Sequence, residues 1–225
     1  MKLTDASYQI IYPDLDDPAT APDIYKRIEQ IGRTCYKSED KITDGSAEKF
    51  VRGLIKSDHT AMIEHAYMTV KFICDRGVSH ELVRHRLCSF AQESQRYCAY
   101  NKDKFGHDVT FIWPCYFKNA SQEVTNRWLN DVRDAEQTYF ELLKTCSPEE
   151  ARAVLPNSTK TEIVVTANMR EWRHIFKLRA LGTTGRPHPQ MLELMVPLAN
   201  ECAMKLPAIF EDLKVPTYKW GVPYC

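Results

Sequence analysis

The sequence feature that most constrains this chain is a polar stretch at residues 83–97, VRHRLCSFAQESQRY, with three arginines, one histidine and one glutamate. Arg84, His85 and Arg86 are consecutive, so a helix would spread them around most of its circumference rather than over one solvated face. Guanidinium groups bind phosphates and carbonyl edges bidentately, and they stack on rings. The stretch therefore predicts either an exposed basic helix end or a polar pocket for an anionic, planar ligand.

The same stretch resembles the signature of a known family. Arg84-His85-Arg86, then seven residues, then Ser94 is similar to the RHR-x7-S motif of flavin-dependent thymidylate synthases, and QESQRY at 92–97 continues in the same manner. A second pattern, Asn168-x-Arg170-x3-His174-x4-Arg179, resembles that family's second signature.

Length and charge set the class of protein. The chain has 225 residues, so we expect a single domain over residues 1–225 with a sizeable core. Lysine plus arginine and aspartate plus glutamate are equal at 30 each, so no net positive field favours nucleic acid. No apolar run approaches the roughly 20 residues of a membrane span, and the first residues do not resemble a signal peptide. We expect a cytoplasmic enzyme that binds neither nucleic acid nor membrane.

The eight cysteines include no CxxC pair, which argues against a zinc ribbon and a disulfide scaffold. Cys115 follows Pro114. In flavin-independent thymidylate synthases, the catalytic cysteine likewise follows a proline. A catalytic thiolate needs a lowered pKa, and no neighbour in sequence supplies one. We therefore expect Cys115 to have no catalytic role.

Alternation of apolar residues predicts a strand over 68–74, with its apolar face formed by Met68, Val70, Phe72 and Cys74. A helix over 78–86 is then predicted to bury Val78, Leu82 and Val83 and to carry the basic motif. Further strands are predicted over 8–12, 109–113 and 161–167. Further helices are predicted from Pro22, from a cap at Ser46, from a cap at Ser121 to about residue 144, from a capping box at 147–150, from a cap at Asn168 to Arg179, and over 190–205.

The segment from His59 to His65 carries a metal hypothesis, because two histidines and Glu64 lie within seven residues. The spacing is His-x4-Glu-His rather than HExxH, so we expect no metal site here. The segment resembles the family's His-x-Ser/Thr-x-x-Glu-His, which lies against the flavin. Ala61 replaces the hydroxyl residue, which leaves only a backbone contact at that position.

The resemblance implies an α+β fold, with a mixed sheet and packed helices, in a homotetramer with active sites between subunits. It implies methylation of dUMP to dTMP, with methylenetetrahydrofolate as carbon donor and FAD, reduced by NADPH, as hydride donor. Matched position by position, the FAD residues are His59, Ala61, Glu64, Arg84, His85, Arg86, Leu87, Gln92, Asn168, Arg170 and His174. The dUMP residues are Glu81, Leu82, Val83, Arg84, Gln92, Glu93, Ser94, Gln95, Arg96, Arg152 and Arg179, and Glu81 stands where some members have glutamine.

Within that scheme we expect Arg179 to be catalytic, with its guanidinium stabilising the electron-rich form of uracil. Ser94 is expected to bind rather than attack, because no histidine–carboxylate pair is evident to activate it. Two other functions stay open. One is a metal-dependent hydrolase that uses His59, Glu64, His65 and His85. The other is a nucleotide-binding module without catalysis.

Overall fold

The computed structural model describes residues 1–101 and 106–216. The strands are β1 (Lys2–Thr4), β2 (Ser7–Tyr12), β3 (Tyr67–Asp75), β4 (Ser89–Gln92), β5 (Thr110–Ile112) and β6 (Lys160–Asn168). The helices are α1 (Thr20–Thr34), α2 (Ser46–Lys56), α3 (Arg76–Leu82), α4 (Gln122–Leu142), α5 (Pro148–Ala151), α6 (Met169–Arg179), α7 (Pro189–Lys205) and α8 (Pro207–Phe210). A 3₁₀ segment, Thr60–His65, precedes β3.

Strands and helices are combined in an α+β arrangement. Four strands form a sheet in the order β2-β3-β6-β4. β1 pairs in parallel with β5, with Leu3 opposite Phe111. In the described part of the chain, no helix combines the length and apolar character that crossing a bilayer requires.

The described residues fall into two compact units. Unit 1 comprises those within Met1–Ser7, Phe72–Arg84 and Phe90–Val164. Unit 2 comprises those within Tyr8–Lys71, His85–Ser89 and Val165–Cys225. The expectation of a single domain over residues 1–225 stays a prediction.

The core of unit 1 forms around α4. Val132 and Tyr139 of this helix pack with Tyr100, Val109 and Phe111, all of them buried. Ser121 caps α4 by accepting a hydrogen bond from the Val124 backbone N–H at 3.3 Å, as predicted. Val124, in the first turn of the helix, has an exposed side chain.

The core of unit 2 contains α6 and α7. Trp172 is fully buried, and its Nε1–H donates to the carbonyl oxygen of Met68 at 2.9 Å, so the indole leaves no polar atom unsatisfied. Pro197 lies inside α7, which continues as one helix to Lys205. The predicted cap at Asn168 is confirmed, since its Oδ1 accepts the Glu171 backbone N–H at 2.8 Å.

The predicted strand over 68–74 is confirmed within β3, and all four residues of its apolar face are fully buried. The capping box at 147–150 is confirmed as well, with Pro148 at the first helical position of α5.

The predicted helix over 78–86 is wrong at both ends. Asp75 is the N-cap, since its Oδ1 accepts the Val78 backbone N–H at 2.7 Å, and the helix therefore starts at Arg76. It ends at Leu82, so the basic motif follows the helix, and the side chain of Val83 is exposed rather than buried. Residues 89–92 form a strand that was not predicted, and the chain must leave the helix to reach it.

Two other helix starts differ from prediction. Helix α1 begins at Thr20, two residues before Pro22. Gly45, rather than Ser46, precedes the first residue of α2, and its φ of 78° is a conformation that glycine adopts without steric cost. The Ser46 hydroxyl contacts Glu29 Oε2 at 2.7 Å instead of capping the helix.

We expect Asp75→Ala to lower the free energy of unfolding by about 1–2 kcal/mol, because the buried N–H of Val78 loses its acceptor. Asp75→Asn keeps a side-chain oxygen and should lose much less. Chemical denaturation of the three proteins provides the measurement. If both variants lost the same free energy of unfolding, the hydrogen bond from the Val78 N–H would not be the reason that Asp75 stabilises the protein.

Candidate active site

Four side chains of unit 2 meet at α6 and are called the histidine cluster: His85, Glu171, His174 and Arg179. Glu171 and His174 are three residues apart and therefore lie on one face of the helix. The rings of His85 and His174 are edge-on, with their centroids 5.9 Å apart. His85 and Glu171 are buried, whereas His174 is exposed.

A hydrogen bond defines the protonation state of His85. Arg179 Nε donates to His85 Nε2 at 3.1 Å. Because Nε2 accepts, the proton of a neutral imidazole lies on Nδ1. Burial lowers the pKa of His85 to about 4, and the positive charges of Arg179 and His174 add to this effect. His85 is therefore neutral at pH 7.

Glu171 lies on the other side of the imidazole. Its Oε1 is 3.5 Å from His85 Nδ1, and both side chains are almost completely buried. Burial raises the pKa of Glu171, and attraction to His174 opposes that rise. The Asn168 cap binds the backbone N–H of Glu171, so this residue sits on a fixed part of the helix.

A cavity of about 530 Å³ opens beside the histidine cluster. A ligand-sized volume of this kind is typical of small-molecule sites. Arg170 and Glu64, which both line the cavity, form an ion pair with 2.5 Å between Nη1 and Oε1. Its lining residues are Glu64, Leu87, Asn168, Arg170, Glu171 and His174.

A second, larger cavity of unit 2 has a volume of about 1030 Å³. It lies among residues of α1, α2 and the segment that follows α2, and it includes His59 and Ala61. Two of the predicted FAD positions therefore line this cavity rather than the one beside the histidine cluster.

Unit 1 contains a separate cavity of about 440 Å³, which is called the arginine pocket. Its lining residues are Arg76, His80, Gln95, Glu149, Arg152, Ala153, Leu155, Pro156 and Asn157. Arg76 Nη1 donates to the Glu93 carbonyl oxygen at 3.4 Å and to Thr161 Oγ1 at 3.3 Å. Arg152 Nε donates to the Glu149 carbonyl oxygen at 3.3 Å. Two oriented guanidinium groups at one cavity suit a phosphate.

The last residue of β4 and the loop that follows it are held to the rest of unit 1 by side-chain contacts. Gln92 Nε2 donates to Ser79 Oγ at 2.9 Å, and Glu93 Oε2 lies 3.1 Å from Lys160 Nζ. Ser94 Oγ accepts the backbone N–H of Arg96 at 3.3 Å, and Arg96 Nε lies 3.1 Å from a carboxylate oxygen of Glu149. The carboxylate of Glu93 is therefore engaged with a lysine.

The predicted site residues divide between the units. Unit 2 holds His59, Ala61, Glu64, His85, Arg86, Leu87, Asn168, Arg170, His174 and Arg179. Unit 1 holds Glu81, Leu82, Val83, Arg84, Gln92, Glu93, Ser94, Gln95, Arg96 and Arg152. The side chain of Leu82 is buried, which leaves its backbone for any ligand.

Sequence reasoning missed four charged or titratable residues that line the arginine pocket or the cavity beside the histidine cluster: Arg76, His80, Glu149 and Glu171. Glu171 could have been found, because it stands three residues before His174 within the second signature. Arg76 could have been placed had Asp75 been recognised as a cap.

The residues that could bind a metal ion differ from those predicted from the sequence. In the described part of the chain, the histidine, cysteine and carboxylate atoms that lie close enough to share an ion, within 4.8 Å, belong to His85, Glu171 and His174. Of the four ligands proposed for a hydrolase, only His85 is among them.

The chain is similar to known proteins over most of its length. The family described as thymidylate synthase complementing protein matches residues 19–208. The flavin-dependent thymidylate synthase of Corynebacterium aurimucosum is 32% identical over 213 residues, which cover 86% of this chain and 82% of that protein. The flavin-dependent thymidylate synthase of Pyrococcus furiosus is 33% identical over 192 residues, covering 84% and 74%.

Solved structures share the fold. The UMP/dUMP methylase PolB from Streptomyces cacaoi, bound with 5-Br dUMP, has a TM-score of 0.75 at 22% identity and covers 94% of this chain and 96% of its own. Thymidylate synthase X from Helicobacter pylori, with FAD and dUMP, has a TM-score of 0.70 at 18% identity, covering 92% and 98%. The predicted α+β fold is confirmed.

The buried, neutral His85 predicts a pH dependence of stability. Its folded-state pKa lies below the ordinary value of 6.5, so the unfolded chain takes up the proton first as pH falls. The free energy of unfolding should therefore decrease between about pH 6.5 and pH 4, by up to about 3 kcal/mol from this group. Denaturation at several pH values should show a smaller decrease in His85→Asn. His65→Asn, the same change on an exposed side chain, is the control and should keep the native pH dependence.

Proposed function

Because the chain belongs to the family of flavin-dependent thymidylate synthases, we propose that it methylates dUMP to dTMP. The carbon comes from methylenetetrahydrofolate, the hydride from FAD reduced by NADPH, and the folate product is tetrahydrofolate. The observation that carries the proposal is the bond between Arg179 and His85. This bond joins Arg179, the last residue of the pattern that starts at Asn168, to His85, the histidine of the RHR-x7-S pattern. A ligand-sized cavity lies beside the two residues.

The chemistry of the donor set around the cavity in unit 2 fits a flavin. Arg170, Asn168 and His174 bring polar groups to its wall, and Leu87 brings an apolar side chain that is 76% exposed. Such a mixture suits a ring system with polar edges. FAD, when bound, supplies the hydride, and the protein's part is to hold and orient it.

His59 and Ala61, which line the larger cavity, are proposed to contact the same flavin. Both residues are exposed, so they can meet a ligand without rearrangement of the core. Because Ala61 carries no hydroxyl group, its part in flavin binding is limited to its backbone and methyl group. The remaining cofactor positions, Arg84, Arg86 and Gln92, complete the proposed set.

The arginine pocket is proposed to hold the phosphate of dUMP. Arg152 stands at the position that the family resemblance assigns to the nucleotide, and Arg76 adds a second guanidinium. Charge-assisted, bidentate hydrogen bonds are the strongest protein contacts to a phosphate. Ser94, Gln95 and Arg96 belong to the loop beside this pocket and are proposed to bind the same nucleotide.

Arg179 is proposed to act on the uracil ring. For C5 to attack the methylene carbon, negative charge must build up on the ring and its carbonyl oxygens. A guanidinium at the ring edge stabilises that charge, and no protein nucleophile is then needed. The buried position of Cys115, which is 5% exposed, is in keeping with such a mechanism.

Two other features belong to the proposal: the homotetramer with active sites between subunits comes from the family resemblance alone, and the cytoplasmic location is the expectation drawn from the sequence. The hydrolase alternative is disfavoured by the histidine cluster. The Nε2 of His85 accepts a hydrogen bond from Arg179, whose positive charge would repel a cation there.

The test of the function is the visible spectrum of the purified protein. A yellow protein should bleach when NADPH is added without air. It should recover its colour only after dUMP and methylenetetrahydrofolate are both present, with dTMP formed in equal amount. A protein that stays colourless after incubation with FAD would overturn the proposal, and stoichiometric metal after chelation would favour the hydrolase.

Arg179→Ala should abolish dTMP formation while FAD stays bound. Loss of one preorganised donor to a developing anion costs about 100- to 1000-fold in rate, and more is expected when the group also carries a full charge. Flavin absorbance and dTMP yield are measured on the same sample, with Cys115→Ala as the control that should retain turnover. Retained turnover in Arg179→Ala would remove the catalytic assignment, and complete loss in a folded Cys115→Ala protein would revive a thiolate mechanism.

A further inference from the structure

Glu171 is a buried carboxylate that neither sequence pattern assigns. It is 7% exposed and stands between Arg170 and His174 on the first turns of α6. A buried acid requires compensation, because removing its charge from water is costly. Its neighbour in the histidine cluster is the imidazole of His85, with 3.5 Å between Oε1 and Nδ1.

The imidazole can carry its single proton on either nitrogen, and the two forms differ in what they offer Arg179. With the proton on Nδ1, the Nε2 lone pair accepts the N–H of Arg179, as the distance of 3.1 Å indicates. With the proton on Nε2, the N–H of His85 and the Nε–H of Arg179 would point at each other. A negative carboxylate beside Nδ1 favours the first form and disfavours the second.

We propose that Glu171, His85 and Arg179 form a positioning relay, in which the Glu171 carboxylate holds His85 in the Nδ1-protonated form so that Nε2 orients the guanidinium of Arg179. Glu171 is a positioning residue, and it reaches the reaction only through His85. Holding the guanidinium at Nε fixes the plane of the group and the direction in which Nη1 and Nη2 point. This inference rests on the proposed function only for the role of Arg179 towards uracil.

A different account of Glu171 is available from its place in the helix. It is the third residue of α6, where an acidic side chain is favoured by the helix dipole. In that case its loss would affect stability and not the tautomer of His85. The two accounts therefore differ in what a spectroscopic measurement on His85 reports.

The experiment uses the full chain with ¹⁵N-labelled histidine, and His85→Asn identifies the His85 signals. In the native protein, Nδ1 should resonate as a protonated nitrogen and Nε2 as an unprotonated one. Glu171→Leu removes the acceptor and should populate the Nε2-protonated form. Glu171→Gln keeps an oxygen that accepts the Nδ1–H and should retain the native form.

Turnover provides the second measurement. Glu171→Leu should lower kcat by about 10- to 100-fold, the effect of a small misorientation of a reacting group, with a smaller change in the KM for dUMP and with flavin still bound. Glu171→Gln should recover most of kcat. Glu123→Leu removes an acid from the first turn of α4 and is the matched control, with kcat expected to stay native.

The outcomes separate the relay from the proposed function. Native His85 signals in Glu171→Leu would overturn the relay, whatever happens to kcat. A tautomer change in Glu171→Leu, with Glu171→Gln native, supports the relay even if the native protein makes no dTMP. Absence of dTMP in the native protein would defeat the proposed function alone.

Discussion

The junction between β6 and α6 is the constraint on which the histidine cluster depends. The strand runs directly into the helix at Asn168, whose side chain caps the first turn by binding the Glu171 N–H. Trp172, one residue further, is buried and bonded to the Met68 carbonyl oxygen. The axial position and the rotation of α6 are thereby both determined, and with them the directions of Glu171, His174 and Arg179. Rigid elements of this kind place functional side chains more accurately than loops do.

The path of the backbone explains why the three residues of the basic motif, Arg84, His85 and Arg86, have different environments. Arg84 is the last residue of its segment in unit 1, and His85 is the first of a short segment in unit 2. Consecutive residues with different environments cannot share a helix face, and here the helix has already ended at Leu82. His85 is buried while Arg84 and Arg86 are exposed, so the motif delivers one imidazole to the histidine cluster and two cations to the surface.

Sequence patterns located most elements because local chemistry decides them. Alternating burial identified β3, and side-chain caps identified the starts of α4, α5 and α6. The errors arose where non-local contacts decide. β4 is short and only half apolar, and it exists because it pairs in the sheet. For the site, family resemblance named His85 and Arg179, but their hydrogen bond joins residues 94 positions apart and could not be read from spacing.

Burial and hydrogen bonding in the histidine cluster require each other. Only a neutral imidazole has a lone pair to offer the guanidinium of Arg179, and an imidazole with an ordinary pKa would be partly protonated near pH 6.5. Burial disfavours the charged form of His85 and so keeps the acceptor available across neutral pH. The same burial would leave the Nδ1–H without water to bind, and Glu171 places a carboxylate oxygen 3.5 Å from that nitrogen. In a more exposed cluster, protonation of His85 would remove Nε2 as the acceptor for Arg179. Without Glu171, the buried Nδ1–H of His85 would lose the carboxylate that compensates it. The burial of His85 and the carboxylate of Glu171 therefore belong to one arrangement.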